Sequence, residues 1–476
     1  LSLHDALPIY IGGGDMGLWN AIKQVVDRVL GKQTIETALG VKLAVAPEMV
    51  DAIELWSAMY QDCPPWKGAT VQTIGLPAAI ASEVARLVTI EMKSEISGSA
   101  RAEYLNKQYR PVINDLRRYV EYGCAKGGLI LKPYIDGRDI VVDYVQAGQF
   151  FPVAFDSKGD ITDIIFVERK QSGDVTYTRL ERHKMVGTVC EITNKAYRSA
   201  NKNYLGNEVS LGSVDEWAGL APRAEVINVN QLLIGHFKPA GANTVDTSSP
   251  LGVSVYSRAV DLIREADRQY SRLLWEFEGG ELAIDADVTM FKKHARTGKM
   301  ELPKGKERLF RALNMDSTQS GVKPLEVFSP TLRDGSLING LNQLLQRIED
   351  VCGLARGTFS EAQNEAKTAT EIKVLKQRSY ATVADNQKAL QAALEQLVYA
   401  MDVWATLGRL APAGTYDISY EWDDSVIVDT QSEQVIRMQE VAAGLLRPEQ
   451  YLMWRYGVSE QDAKAMMPDA FDGGDG

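Results

Sequence analysis

This 476-residue sequence has no long apolar run, few cysteines and few histidines. No stretch reaches the roughly 18 uncharged apolar residues that a membrane-spanning helix needs, so we expect no membrane partner. The four cysteines lie at least 61 positions apart, which argues against a disulfide framework and against a CxxC metal or redox site. We therefore expect the protein to occupy a reducing compartment.

Motifs that carry common catalytic chemistry are also missing. The histidines are His4, His183, His236 and His294. None has another histidine or a cysteine at metal-ligand spacing, and the GxxxxGK[ST], GxSxG, HExxH and kinase motifs are absent. We therefore expect no metal, no cofactor and no catalytic residue.

One glycine motif could suggest a dinucleotide. Gly12, Gly14 and Gly17 spell GxGxxG, the pattern of a dinucleotide-binding turn. Such a turn needs a buried strand before it, but the preceding residues contain Asp5 and Pro8. The sequence around the glycines therefore does not support a dinucleotide site.

The first residues, 1–15, lack the basic start and the long apolar core of a signal peptide. Gly-Gly-Asp-Met, which ends at Met16, is what a purine-rich ribosome-binding site followed by ATG gives when it is translated in frame. We expect residues 1–15 to be a non-native or disordered leader and translation to start at Met16.

Basic residues are fewer than acidic ones, 52 against 63, and the net charge is −11. A protein that wraps DNA needs a positive surface that replaces counterions, so we expect only local or weak contacts with DNA. The charge is uneven along the chain. Residues 415–476 hold thirteen acidic and four basic residues, whereas residues 281–330 hold seven acidic and nine basic ones.

The spacing of apolar residues changes near residue 128. Residues 48–60, 76–96 and 101–122 have apolar side chains at helical intervals. From residue 128 to 192, short β-branched and aromatic runs alternate with turn signals such as Asp136-Gly137, which predicts an antiparallel β insertion.

Three long helices are predicted in the second half of the chain. Ser249-Pro250 indicates the start of the first, and Gly279-Gly280 ends it after about 28 residues. The second is predicted over 334–351, and the third begins at a capping box at Thr368 and continues for about 37 residues. The overall pattern predicts an α+β fold.

The residue pattern of the segment between the first two of these helices, 281–330, predicts a small α/β module. We expect strands at 282–284, 308–313 and 325–328, and a short helix near 288–294.

Several segments of the second half resemble the portal proteins of long-tailed bacteriophages of Gram-positive hosts and their relatives. They are INGLNQLLQRIE at 338–349, CGLARGT at 352–358, TATEI at 368–372, DDS at 423–425, and VAAGL and YLMWRYG within 429–457. The order of elements extends the resemblance from Met16 over nearly the whole chain, although residues 128–248 resemble the family only in pattern.

The resemblance implies a portal-type fold and a ring, commonly of twelve subunits, at one capsid vertex. The implied regions are a wing (16–249), a stem helix (250–280), a clip (281–330), a second stem helix (331–353), a channel loop (354–369), a long wing helix (370–414) and an acidic C-terminal wing or crown (415–476). Such a ring conducts DNA during packaging and ejection. An acidic wall would repel phosphates equally at every position and let the duplex slide.

The resemblance also implies partners and a place of assembly. The partners are other copies of the chain, double-stranded DNA, the large terminase, the head-tail adaptor, and the major capsid and scaffold proteins. Assembly would take place in the host cytoplasm, and the product would be part of the virion.

Two groups of site residues follow from composition and from these implied regions. The small and polar channel loop is expected to be mobile and exposed, with DNA-facing residues Arg356, Ser360, Gln363, Asn364 and Lys367. In the clip, Lys292, Lys293, Arg296 and Lys299 crowd into eight residues and are expected to dock electrostatically onto terminase or adaptor.

Two alternatives stay open at the level of sequence. Glu421, Asp423 and Asp424 could hold Mg²⁺ in a DNA-processing enzyme, although these residues also fit a solvated turn after a strand. A minor head protein that acts as a scaffold could use the same long helices without forming a portal ring.

Overall fold

The computed structural model describes residues 32–90, 92–201, 204–293, 300–301, 309–313, 325–361, 369–422 and 430–467. Helices and mostly antiparallel sheets occur together in them, which confirms the predicted α+β class. The chain divides into two units. The first comprises the described residues up to Thr89 and Glu95–Ile418, and the second comprises Ile90–Ser94 and the described residues from Ser419 onward.

The N-terminal part is helical, as predicted, with one strand. Its elements are α1 (Lys32–Leu39), α2 (Pro47–Tyr60), α3 (Leu76–Thr89), β1 (Met92–Gly98) and α4 (Ala100–Lys126). The helix predicted over 76–96 ends at Thr89 instead. Within β1 the buried Ser94 and Ile96 alternate with exposed residues, the two-residue period of a strand with one face covered.

The antiparallel strands predicted between 128 and 192 are confirmed. They are β2 (Leu129–Asp136), β3 (Asp139–Gln146), β4 (Phe150–Phe155), β5 (Ile161–Ser172), β6 (Val175–Val186) and β7 (Val189–Ser199), followed by β8 (Asn207–Val209), β9 (Arg223–Ile227) and β10 (Gly235–Phe237). Three hairpins close with two-residue turns that begin at Gly137, Gly173 and Gly187, whose φ angles of 62°, 59° and 61° favour glycine.

Two sheets result from these strands. One has the order β10–β2–β3, and the other has the order β4–β5–β6–β7–β8 with β9 also paired to β7. The β10 strand lies directly against a long helix, α7 (Ala369–Leu407), which confirms the third predicted helix. Gly235 makes this approach possible, because a Cβ atom there would lie 2.3 Å from the carbonyl oxygen of Ala393.

The first long helix, α5 (Val260–Gly279), starts ten residues later than Ser249-Pro250 predicts. Its 20 residues span about 30 Å. The preceding Leu251–Ser254 segment is buried and non-helical. A Cβ atom at Gly252 would lie 2.5 Å from the carbonyl oxygen of Gly127, at the end of α4. Close packing of this segment on α4 therefore outweighs the local capping signal.

The segment between α5 and α6 (Asp334–Cys352) is a small sheet module. It contains β11 (Ala283–Asp287), β12 (Lys292–Lys293), β13 (Met300–Glu301), β14 (Phe310–Leu313) and β15 (Leu325–Phe328). The β11 strand pairs in parallel with β14 and antiparallel with β15. The short helix predicted near 288–294 is wrong, because only 288–290 form a 3-10 turn and Lys292–Lys293 form a strand.

The described residues of the second unit contain parts of two strands and three short helices. The strand β16 (Tyr416–Trp422) pairs with β1 and confirms the strand predicted before Asp423. The helices are α8 (Thr430–Ala442), α9 (Pro448–Tyr456) and α10 (Glu460–Ala465).

Candidate functional site

Helices α5 and α6 lie side by side and run antiparallel. The side-chain Nε2 of Gln269, in the middle of α5, donates to the carbonyl oxygen of Leu337, in the first turn of α6, at 3.2 Å. A Cβ atom at Gly340 would lie 3.3 Å from the same Nε2 atom, so glycine leaves the glutamine its space. The two helices therefore form one hairpin, with the sheet module of 281–330 inserted at its far end.

Asp267 fixes the N-terminal half of α5 in place. Its carboxylate is buried and accepts hydrogen bonds from Trp66 Nε1 at 2.8 Å and from the backbone N–H of Ile74 at 3.0 Å. Burial raises the pKa of Asp267, although both hydrogen bonds act in the opposite direction. These contacts join α5 to the loop that precedes α3.

At the far end of the hairpin, Glu276 and Arg333 join the two helices. The guanidinium group of Arg333 donates to both carboxylate oxygens at 2.7 and 3.1 Å, and its backbone N–H donates at 3.0 Å. These hydrogen bonds lower the pKa of Glu276 to about 2. The pair fixes the point where the chain leaves α5 for the sheet module and returns to α6.

Inside the sheet module, one interaction links all three neighbouring strands. Arg311 on β14 donates two hydrogen bonds to Asp285 on β11, at 2.6 and 2.8 Å. The same guanidinium lies 4.5 Å from the ring centroid of Phe328 on β15, within cation–π distance.

The basic cluster predicted in this module is only partly within the described residues. Lys292 is exposed and lies opposite Glu301, and Lys293 lies opposite Met300. Arg296 and Lys299 lie outside the described residues.

The predicted channel loop begins as a folded segment. Ser360 is buried, so the prediction that it is exposed is wrong: its hydroxyl donates to Glu349 at 2.8 Å. Arg356 remains partly exposed and donates to Asp350 at 2.7 and 3.1 Å. The other three predicted residues, Gln363, Asn364 and Lys367, lie outside the described residues.

Sequence reasoning missed Glu349, the residue that organises this segment. Its side chain is fully buried. The available signal was its position, because it lies four and eight residues after Leu345 and Leu341, on the apolar side of α6. A carboxylate on an apolar stripe, just before a glycine-containing loop, needs local hydrogen-bond donors.

Large apolar side chains are exposed around the far end of α5 and in the sheet module. We call this group the exposed apolar group; it comprises Leu274, Trp275, Phe277, Leu282, Met290, Leu313, Leu325 and Val327. Trp275 is 66% exposed and Val327 is 57% exposed. Clusters of exposed apolar side chains commonly mark interaction sites.

The acidic group considered for Mg²⁺ gains no support from the structure. Glu421 is exposed and lies 3.7 Å from Lys93, while Asp423 and Asp424 lie outside the described residues. Across the part of the chain that the structure describes, no three His, Cys, Asp or Glu side chains are grouped to hold a metal ion. No described helix is both long enough and apolar enough to cross a membrane.

A comparison with protein families decides the class of protein. The model of a family described as "Phage portal protein, SPP1 Gp6-like" matches residues 111–467, which is most of the chain. The chain belongs to this family. No curated protein matches the chain at a significant level.

Membership confirms the predicted portal function. Portal proteins are ring-forming phage proteins of the capsid vertex that act in DNA packaging, and the family is structural rather than enzymatic. The α5–α6 hairpin and its inserted sheet module lie within the matched residues. The matched region also includes the segment held by Glu349.

Proposed function

We propose that twelve copies of this portal protein form the ring, with α5 and α6 as the stem around the DNA and residues 281–330 as the clip. The observation that carries this proposal is the antiparallel α5–α6 hairpin with the sheet module inserted at its far end. Its Glu276–Arg333 pair gives the clip a fixed base. The large terminase would bind the clip during packaging, and the head-tail adaptor would bind it afterwards.

The negative net charge suits a channel that does not bind the DNA passing through it. Each chain carries −11, so twelve copies would carry about −132. A duplex presents one phosphate charge per ~1.7 Å, and an acidic wall therefore offers it no preferred stopping point. We also propose that the chain itself has no catalytic activity and that the ring assembles in the host cytoplasm with capsid and scaffold proteins.

Negative-stain imaging of the purified full chain tests the ring. We expect closed rings with twelvefold symmetry and a bore wider than the ~20 Å duplex, as closed cyclic assembly requires. A monomer or an open filament would instead favour a minor head scaffold protein.

The channel loop has a separate test. Deleting residues 362–366 keeps the hydrogen bond between Ser360 and Glu349. We expect the deletion variant to form the ring but to protect several-fold less DNA from DNase in proheads. The reason is that long loops between packed helices usually carry function rather than stability. Normal packaging by the deletion variant would contradict a role for this loop.

The basic residues of the clip give a prediction about partner docking. Reversing Lys292 and Lys293 to glutamate is expected to slow capture of terminase by several-fold at low salt, because charges at an interface rim mainly set the association rate. Association kinetics at low and high ionic strength would measure the effect.

A matched control reverses Lys93 and Lys388, whose side chains are 77% and 81% exposed, and so changes the net charge equally. The control variant is expected to bind terminase as the wild type does. If the Lys292 and Lys293 variant also matches the wild type at every ionic strength, docking uses other residues of the clip.

A further inference from the structure

Glu349, near the C-terminal end of α6, is a buried carboxylate surrounded by hydrogen-bond donors. It accepts from the backbone N–H groups of Gly357 at 3.2 Å, Phe359 at 2.6 Å and Ser360 at 2.7 Å, and from the Ser360 hydroxyl at 2.8 Å. Both carboxylate oxygens of Glu349 therefore accept hydrogen bonds from donors of one short segment.

The segment that Glu349 binds turns back along its own helix. Gly353 ends α6 with φ at 72°, and the backbone N–H of Leu354 donates to the carbonyl oxygen of Glu349 at 2.9 Å. Further on, the N–H of Glu361 donates to the side-chain Oδ1 of Asn342 at 2.8 Å. Asn342 precedes Glu349 by seven residues, so the chain returns by about 10 Å along α6.

A second contact limits the same segment on its other side. A Cβ atom at Gly353 would lie 2.3 Å from Thr382 Oγ1 on α7. The turn after α6 is therefore held between α6 and α7, with little space for another path. Residues 353–361 and the second half of α6 form one structural piece.

We infer that Glu349 is a positioning residue that fixes the stem-side end of the channel loop to α6. The inference rests on the proposed channel role of residues 354–369. In a ring of identical subunits, the same contact repeated in each copy makes every loop leave its stem helix at one height along the bore. Arg356, which is bound to Asp350 beside this segment, is then presented at that height in each subunit.

Glu349→Gln tests the inference, because it replaces one acceptor oxygen by an NH2 group that meets N–H donors. Hydrogen exchange of the assembled ring would be followed on peptides that cover 357–361. We expect exchange at least about tenfold faster, since leaving buried donors unpaired costs more than a typical hydrogen bond contributes. Glu225→Gln, the same chemical change at a half-exposed carboxylate on β9 that pairs with Arg223, is the control and is expected to alter this exchange less than about twofold.

The amount of packaged DNA distinguishes a positioning role of Glu349 from a purely structural one. We expect proheads with Glu349→Gln to hold several-fold less DNase-protected DNA than those with Glu225→Gln, while both variants form rings by negative stain. If Glu349→Gln forms no ring, Ser360→Ala decides, because it removes one donor and leaves α6 unchanged; Ser360→Thr, which keeps the hydroxyl, should restore packaging.

Two results would overturn the inference. One is unchanged exchange over 357–361 in Glu349→Gln rings. The other is normal packaging by Glu349→Gln when deletion of 362–366 impairs packaging. Normal packaging by the deletion variant would instead refute the channel loop itself, a failure that the exchange experiment distinguishes.

Discussion

Glu181→Gln is expected to destabilise the protein by about 3–5 kcal/mol, because it removes the carboxylate that a buried cluster of basic side chains shares. In β6, Glu181 lies 2.8 Å from Lys132 Nζ, 3.0 Å from Arg179 Nη1 and 2.6 Å from His183 Nε2. All four side chains are nearly inaccessible to water. Without Glu181, the cations lose most of the interaction that offsets their desolvation.

Glu168→Gln is the matched control for this prediction. Glu168 also pairs with Arg179, at 2.7 Å, but its side chain is 39% exposed. Water compensates most of such a loss, so we expect a change below about 1 kcal/mol. Urea unfolding of both variants would measure the difference, and equal midpoints would contradict the importance of burial at Glu181.

The same cluster predicts how stability depends on pH. Burial alone would raise the pKa of Glu181, but Lys132, His183 and Arg179 outweigh it and hold this pKa well below the ordinary value. A depressed carboxylate pKa stabilises the fold above the unfolded value of ~4.3 and loses that contribution as the pH falls toward the folded value. The stability difference between wild type and Glu181→Gln should therefore shrink below about pH 4.

Local sequence patterns predicted the elements of this fold better than its contacts. The α6 boundaries and the strand at 325–328 follow from apolar spacing, which short-range geometry determines. The start of α5 does not, because Gly252 meets Gly127 through chain segments 125 residues apart in sequence. Tertiary packing decided between two locally acceptable conformations.

The functional contacts were hidden for a related reason. Lys132 and Glu181 belong to different sheets, and only the final strand arrangement brings them within 2.8 Å. Ser360 was predicted to be exposed because the small and polar residues around it do not indicate its hydrogen bond to Glu349, eleven positions earlier. A polar loop becomes buried when a single carboxylate supplies acceptors for its backbone.

Trp275→Asp is expected to prevent ring assembly. Trp275 is 66% exposed, and Phe277 and Leu282 of the same exposed apolar group are 46% and 52% exposed. Because portal proteins form homo-oligomeric rings, we expect a second copy to cover this apolar surface. Buried tryptophans are frequent energetic hot spots, so each interface should lose about 2 kcal/mol or more, roughly thirtyfold in affinity.

The effect is larger in a ring than in a simple dimer. In a ring of identical subunits every interface contains this surface from one of its two subunits, so one substitution weakens all interfaces at the same time. The new carboxylate also has to be desolvated in an apolar contact, which adds to the loss. We therefore expect Trp275→Asp to remain monomeric at concentrations at which the wild type is fully assembled.

Tyr204→Asp provides the control, because Tyr204 is also 66% exposed but lies outside α5 and the sheet module, between β7 and β8. Light scattering after size-exclusion chromatography should show rings for the wild type and Tyr204→Asp, and monomers for Trp275→Asp. Circular dichroism should show equal folding in all three, because neither side chain belongs to the core. Rings formed by Trp275→Asp at wild-type concentration would mean that subunits meet through a different surface.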